Sequence, residues 1–175
     1  MNKHEDKQKV LDTVNQWIFN CDTKVSIILA MLGVFLTVLL SSDIGKCIFN
    51  IVKISLYERT ICSILYFVLL ITGIIILVLG IYKLIRVLIP TINLKHKSVM
   101  FFGNVASYSS FIEYCDAVKN TNNDEIAEDL LHQIYAASKI CSIKFKNQKI
   151  GIFLSSIGLV IILAWLVFGI IVYYI

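Results

Sequence analysis

The chain has 175 residues, of which 58% are hydrophobic and 16% charged, and its formal net charge is +4. Because soluble domains are about 45 to 50% apolar, this composition excludes an ordinary soluble enzyme or soluble binding module. The positive charge needs no nucleic acid to explain it, since basic residues beside a membrane contact lipid headgroups, and we expect no nucleic-acid partner.

Three stretches without charged residues are long enough to cross the hydrocarbon core of a bilayer, which takes about 20 residues. We predict transmembrane helices at 25–42, 60–82 and 150–175. The other segments are a cytoplasmic amphipathic helix at 1–24, an outer loop at 43–59 and a cytoplasmic helical segment at 83–149. The predicted fold class is an all-α integral membrane protein with three transmembrane helices and a small cytoplasmic helical region.

The first and last spans are predicted to continue as cytoplasmic helices. In the segment before each span, apolar residues recur at steps of three and four, and no Pro or Gly interrupts the pattern. These residues are Val10, Leu11, Val14, Trp17, Ile18 and Cys21 before the first span, and Ile126, Leu130, Ile134, Ala137, Cys141 and Phe145 before the last.

The basic residues set the orientation. The segments 1–24 and 83–149 carry four and nine Lys or Arg residues, whereas the loop 43–59 carries three. Loops rich in Lys and Arg face the cytoplasm. We therefore expect a multi-pass protein of the plasma membrane with its N-terminus in the cytoplasm and its C-terminus outside.

The first span contains a stripe of small residues. They are Ser26, Ala30, Gly33, Thr37 and Ser41. Small residues at this spacing let helix backbones approach closely, which is how helices associate in lipid. Packing against the chain's own spans is the favoured interpretation, and the alternative is a contact between copies in a homo-oligomer. Gly151 gives the third span a weaker instance, together with Ser155.

The outer segment has apolar residues at helical spacing, so it could form a helix on the outer membrane surface. The five cysteines show no metal-ligand spacing. Cys47 and Cys62 flank the loop, and whether they form a disulfide is left open. We expect no metal and no cofactor.

After Pro90, which should end the second helix, the stretch 91–109 has no clear period and is the candidate binding segment. An anionic ligand with an aromatic part needs a cation, or free helix amides, together with a ring to stack on. The candidates are Lys95, Lys97, Phe101, Phe102, Asn104 and Tyr108, together with Tyr114 and the helix start at Ser110. Ser110 and Glu113 have the spacing of a capping box, and Asn123 or Asp124 should cap the final helix.

No motif for catalysis is present: the sequence lacks H-E-x-x-H, G-x-S-x-G, a P-loop and G-x-G-x-x-G. We therefore expect a protein that is not an enzyme and has no catalytic residue. At the inner end of the first span, Asp22 needs a basic partner because a carboxylate gains nothing from anionic headgroups. We expect Asp22 and Lys24 to be switch residues, with Lys139 of the final helix among the candidate partners of Asp22.

Several short motifs together resemble one family. Cys21–Ala30 is similar to the D-x-K-A-S-x-x-L segment that opens the first span of transmembrane effectors of Pycsar antiphage systems. Phe101–Ala106 resembles the F-F-G-x-I-A loop of that family, and 111–114 resembles the short helix that follows it. Residues 131–134 and 138–140 resemble the L-x-x-Q-I and S-K-I motifs of its final helix. Val25 and Asn104 depart from the usual residues.

The resemblance implies a receptor for a cyclic pyrimidine mononucleotide, cCMP or cUMP, that impairs the bacterial inner membrane after phage infection and stops or kills the cell. It adds Gly103 to the candidate ligand contacts and makes 83–149 the ligand-sensing segment. The alternative function is a constitutive membrane scaffold or small channel subunit that binds no nucleotide.

Overall fold

The computed structural model describes residues 3–58, 61–89 and 98–174, and this part of the chain is helical without strands. Its helices are α1 (Lys3–Leu39), α2 (Ser42–Glu58), α3 (Ile61–Leu88), α4 (Phe102–Val105), α5 (Phe111–Asn120) and α6 (Asn123–Tyr174). Three of them, α1, α3 and α6, are long and apolar enough to cross a membrane. The predicted fold class, an all-α membrane protein with three spans, is confirmed.

Helices α1 and α6 are both longer than a bilayer requires. They have 37 and 52 residues. At about 1.5 Å per residue these helices measure about 55 Å and 78 Å, against a hydrocarbon core of about 30 Å. Neither helix breaks at the predicted edge of its span, at 24–25 or 149–150. Both spans therefore continue as helix beyond the hydrocarbon, while the span edges remain predictions from charge.

The chain divides into two compact units. Unit 1 comprises Met1–Cys21 and Pro90–Lys144, and unit 2 comprises Asp22–Ile89 and Phe145–Ile175. Each unit joins segments that are distant in sequence, because α1 and α6 both contribute to each of them.

In unit 2, helices α3 and α6 pack through glycines. A Cβ atom added at Gly158 would lie 2.6 Å from the Leu77 amide nitrogen, and one added at Gly80 would overlap the backbone and hydroxyl of Ser155. The facing pairs, taken along α3, are Leu77 with Gly158, Gly80 with Ser155 and Leu84 with Gly151. A step forward on α3 is a step backward on α6, so the helices are antiparallel. The two residues noted on the third span thus belong to a packing seam within the chain.

The small-residue stripe of α1 lies elsewhere. Its members, Ser26, Ala30, Gly33, Thr37 and Ser41, are exposed in the chain. A Cβ atom added at Gly33 would meet nothing within 4 Å. The buried face of the span is formed instead by Val25, Leu32 and Leu39, which recur every seven residues. The favoured interpretation, packing within the chain, is wrong, because large apolar side chains bury more surface than small ones and determine which face turns inward.

The segment predicted as an outer loop forms helix α2, which packs in unit 2. Ile51 is fully buried against Tyr66 and Trp165. The Tyr66 and Trp165 rings stack with centroids 5.0 Å apart, and the Tyr66 hydroxyl donates to the Trp165 carbonyl at 2.6 Å. Cys47 packs against this cluster as a free thiol, and the side chain of Cys62 lies outside the described part of the structure. A position on the outer membrane surface stays a prediction for α2.

Unit 1 has its core where the N-terminal halves of α1 and α6 lie side by side. The Lys7 ammonium donates to the Ala127 carbonyl at 3.3 Å. Leu11, Val14 and Leu130 are buried. These apolar residues belong to the stripes that the sequence predicted.

Side-chain caps fix the helix starts of unit 1. The Ser110 hydroxyl accepts from the Glu113 amide at 3.2 Å, as the capping box predicts, but the Glu113 carboxylate accepts from the Ser109 amide, one residue earlier than expected. At α6, the side chain of Asn122 accepts from the Glu125 amide at 2.8 Å, and Glu125 accepts from the Asn122 amide at 3.1 Å. The cap is therefore Asn122, because its side chain is the one three residues before the carboxylate that completes the box.

Candidate ligand-binding site

The described part of the predicted binding segment starts at Ser98, whose side chain organises the turn that follows. Ser98 is 3% exposed. Its hydroxyl accepts hydrogen bonds from the amides of Met100 at 3.1 Å and Phe101 at 2.8 Å, and it donates to Asp129 Oδ2 at 2.6 Å. One buried hydroxyl thus fastens the segment to α6.

Asp129 is a buried carboxylate on the second turn of α6, with 4% of its surface exposed. Its Oδ2 atom accepts from Ser98. Gln133, one turn further along α6, donates to the same hydroxyl at 3.4 Å. No group within the described ranges donates to the buried Oδ1 atom of Asp129. Burial of a charged group is costly unless its hydrogen-bonding capacity is filled, which makes this oxygen the chemically unusual atom of unit 1.

The two adjacent phenylalanines form an aromatic pair at the start of α4. Their ring centroids lie 4.7 Å apart with 49° between the planes, and Phe102 is 66% exposed. The Phe101 ring lies directly over the next residue but one: a Cβ atom at Gly103 would come within 2.8 Å of the ring. A glycine at 103 therefore lets the ring rest on the backbone, and the exposed ring of Phe102 offers a surface for stacking.

A second aromatic pair holds the segment from the side of α5. The rings of Tyr108 and Tyr114 have centroids 5.5 Å apart, and the Tyr114 hydroxyl donates to the Val99 carbonyl at 3.2 Å. Ser98 and Val99 are thus held by α6 and α5 respectively. Side chains of α6 and α5 therefore fix the backbone at 98–99 through hydrogen bonds.

The start of α5 is less suited to an anion than the sequence indicated. The Glu113 amide is taken by the Ser110 hydroxyl, and the Glu113 carboxylate accepts from the amide and hydroxyl of Ser109. A phosphate at this helix start would meet a carboxylate. Neutral parts of a ligand, such as rings and N–H or O–H donors, fit this neighbourhood better.

The predicted ligand residues divide into two groups. Lys95 and Lys97 lie outside the described residues. The structure brings Phe101, Phe102 and Gly103 together, with Asn104 half-buried in α4 and Tyr108 just beyond it. Their role as ligand contacts stays a prediction.

The predicted switch residues lie on the two long helices. Asp22 is half-buried in α1, at the first position of unit 2, and Lys24 is exposed. Lys139 is exposed on α6, and its ammonium lies 4.9 Å from the centroid of the Tyr135 ring, one turn earlier. The switch role of these three residues stays a prediction.

Sequence reasoning missed Ser98, Asp129 and Gln133. Ser98 is 31 residues from Asp129, and each is an ordinary residue in its local pattern. The signal that was present is the position of Asp129 beside Leu130 on the buried stripe of α6, where a charged residue is rare unless it has a partner.

Comparison with known proteins assigns the chain to a family. The family model PycTM, which describes the Pycsar effector protein domain, matches residues 7–171. The chain belongs to the Pycsar transmembrane effector family. Nearly the whole chain is covered, from the first turns of α1 to the end of α6, so the match includes both units.

A curated relative agrees with this. The Pycsar effector protein GmPycTM of Gulbenkiania mobilis is 30% identical over 164 residues, which cover 85% of this chain and 83% of the relative. No solved structure matches the chain. By family, the protein is an antiphage defence effector of the membrane.

Proposed function

We propose that this Pycsar effector binds a cyclic pyrimidine mononucleotide, cCMP or cUMP, through unit 1 and then impairs the inner membrane, causing growth arrest or death of the infected cell. Family membership over residues 7–171 carries the proposal. The three apolar helices support the action at a membrane.

The arrangement of unit 1 supports the ligand class. A pyrimidine ring can stack on an aromatic side chain, and Phe102 offers an exposed ring beside Phe101. A ligand phosphate needs a cation, for which Lys95 and Lys97 are the proposed residues. Asn104 and Tyr108 complete the proposed contact set on the described side.

The orientation follows from charge. The segments with most Lys and Arg lie in the cytoplasm, so unit 1 meets a nucleotide that is made inside the cell. The C-terminus then lies outside the inner membrane.

The exposed face of α1 supports a homo-oligomer. In an apolar 18-residue stretch of α1, 11% is buried within the chain, against 22% in the corresponding stretches of α3 and α6. The exposed side of α3 consists mainly of large residues such as Ile71, Ile75 and Leu79. Helix α1 exposes the small stripe centred on Gly33 beside large residues such as Met31. Close approach of helices in lipid requires small residues, and a second copy of α1 offers a matching surface.

Binding is the test that decides the proposal. We expect the full-length effector, purified in detergent, to bind labelled cCMP or cUMP and to ignore cAMP and cGMP. Phe102→Ala should weaken binding, while Phe168→Ala, which changes an exposed ring in unit 2, should not. A folded protein that binds neither cyclic pyrimidine nucleotide would favour the alternative, a scaffold or channel subunit without a ligand.

Membrane damage needs its own measurement. In vesicles that enclose a fluorescent dye, we expect the nucleotide to cause leakage when the effector is present and none when it is absent. Equal leakage with and without the nucleotide would mean that the ligand does not control the action on the membrane.

A further inference from the structure

The buried carboxylate of Asp129 has capacity that the described chain does not use. Its Oδ2 atom accepts from the Ser98 hydroxyl at 2.6 Å, while its Oδ1 atom is buried and has no donor among the described residues. An ionised carboxylate only accepts hydrogen bonds and can take several. A ligand group that donates an N–H or O–H would satisfy this oxygen.

The location of Asp129 suits a recognition role. The hydroxyl that binds Oδ2 also fixes the amides of Met100 and Phe101, and Phe101 packs on the Phe102 ring proposed for stacking. Two successive hydrogen bonds, through the Ser98 hydroxyl, therefore connect the carboxylate to the backbone of the aromatic pair.

We infer that Asp129 is a specificity residue of the effector, which accepts a hydrogen bond from a neutral N–H or O–H donor of the bound nucleotide; this inference rests on the proposed function. The negative carboxylate repels the ligand phosphate, so the phosphate end points away from Asp129. The donor is either the ribose 2′-hydroxyl or an N–H group of the base.

Burial links this contact to a movement. Because Asp129 is 4% exposed, a ligand reaches Oδ1 after the segment Ser98–Phe101, which is bonded to the other oxygen, has shifted. Ligand recognition at Asp129 then displaces the backbone that carries Phe101. The amides of Met100 and Phe101 report that displacement, because both donate hydrogen bonds to the Ser98 hydroxyl.

The experiment measures the affinity of the full-length protein in detergent for cCMP and cUMP in wild type, Asp129→Asn and Glu128→Gln. Asp129→Asn is expected to weaken binding about 10- to 100-fold, the effect of losing a hydrogen bond to a charged group. Glu128→Gln makes the same charge change one residue earlier, on a side chain that is 71% exposed, and should leave affinity within about twofold of wild type.

Two analogues identify the donor. If the ribose hydroxyl donates, 2′-deoxy-cCMP binds wild type weakly, and Asp129→Asn does not lower its affinity further. If the base donates, N3-methyl-cUMP shows this pattern instead. The inference would be overturned if, for both analogues, the loss of affinity caused by the ligand modification simply added to the loss caused by Asp129→Asn. Groups that do not interact give additive effects.

Hydrogen exchange supplies a measurement that does not depend on the variant folding. Saturating nucleotide is expected to change exchange at Met100 and Phe101 in wild type, and unchanged exchange at both would overturn the inference. The inference would also be overturned if Asp129→Asn bound both nucleotides with an affinity within twofold of that of wild type. If wild type itself binds no cyclic pyrimidine nucleotide, the proposed function fails, a result distinct from these.

Discussion

At the residue scale, the packing of unit 2 depends on glycine, which has no side chain. Gly169 leaves the space that the Tyr66 hydroxyl fills on its way to the Trp165 carbonyl. Trp165 is 1% exposed, so this contact lies at the centre of the packed cluster. A single methyl group at position 169 would occupy the position of the hydroxyl.

Gly169→Ala is therefore expected to lower the free energy of unfolding by about 1–3 kcal/mol, the usual cost of overpacking. Unfolding in denaturing detergent, followed by tryptophan fluorescence, measures it. Gly33→Ala is the matched control, because a Cβ atom there meets nothing. Adding Tyr66→Phe to Gly169→Ala removes the colliding hydroxyl and should restore part of the loss; a double variant less stable than the sum of its parts would contradict this explanation.

The cysteines give a second residue-scale prediction. Cys141 is 7% exposed on α6, before the predicted third span. Burial raises the pKa of its thiol, and the nearby Lys144 offsets part of that rise. A raised pKa leaves less thiolate, the reactive form, at a given pH.

We expect iodoacetamide at pH 8 to modify Cys115, which is half-buried on α5, before it modifies Cys141. Mass spectrometry of the peptides measures both rates. The denatured protein is the control, in which the two thiols should react at similar rates. Faster modification of Cys141 in the folded protein would mean that its surroundings open in solution.

Residue-level sequence reasoning succeeded where the interaction is local. The pair of Ser110 and Glu113 could be predicted because a helix cap is written in four consecutive residues. Asp129 could not, because its partner Ser98 is 31 residues away and nothing in either local pattern specifies the other. The same limit explains why the correct cap of α6 was missed by one residue: three polar residues, 122–124, compete for one position.

At the element scale, the exposed face of α1 is the feature that sequence patterns could not assign. A stripe of small residues permits close approach but does not specify the partner helix. The buried heptad of Val25, Leu32 and Leu39 fixes which way α1 faces within the chain, and this leaves Gly33 outside.

Gly33→Leu should therefore weaken assembly of the effector without destabilising a single chain, because Gly33 is exposed and a Cβ atom there meets no atom of its own chain within 4 Å. Crosslinking in membranes measures assembly, and the detergent unfolding assay measures the chain. Val34→Leu, an exposed change on the same turn that keeps the residue large, is the control. Crosslinking that is unchanged in Gly33→Leu would remove α1 from the contact between copies.

At the scale of the whole molecule, the spans and their order could be predicted because long apolar runs are a local property of the sequence. The division into two units could not be predicted in this way. Unit 1 combines Met1–Cys21 with Pro90–Lys144, and 68 residues (22 to 89) separate these two segments in the sequence. Contacts at that separation leave no periodic signal.

Topology is the prediction that belongs to this scale. A reporter fused after Ile175 should be outside the inner membrane, and one inserted at Asn122, between α5 and α6, should be in the cytoplasm. Both follow from an odd number of spans and the distribution of Lys and Arg. A cytoplasmic C-terminus would require that one of the three helices does not cross.

The glycine seam between α3 and α6 changes how a mutational survey of this protein has to be interpreted. An alanine scan works by deletion, but at Gly80, Gly151 and Gly158 alanine is an addition, and each added atom would meet the neighbouring helix. On the lipid-facing side, where residues such as Ile75 and Leu79 are 52% and 50% exposed, the same scan removes atoms from side chains that are only partly packed against the chain. Along this seam the buried glycines would therefore tolerate alanine least, and the large exposed residues of α3 would tolerate it most.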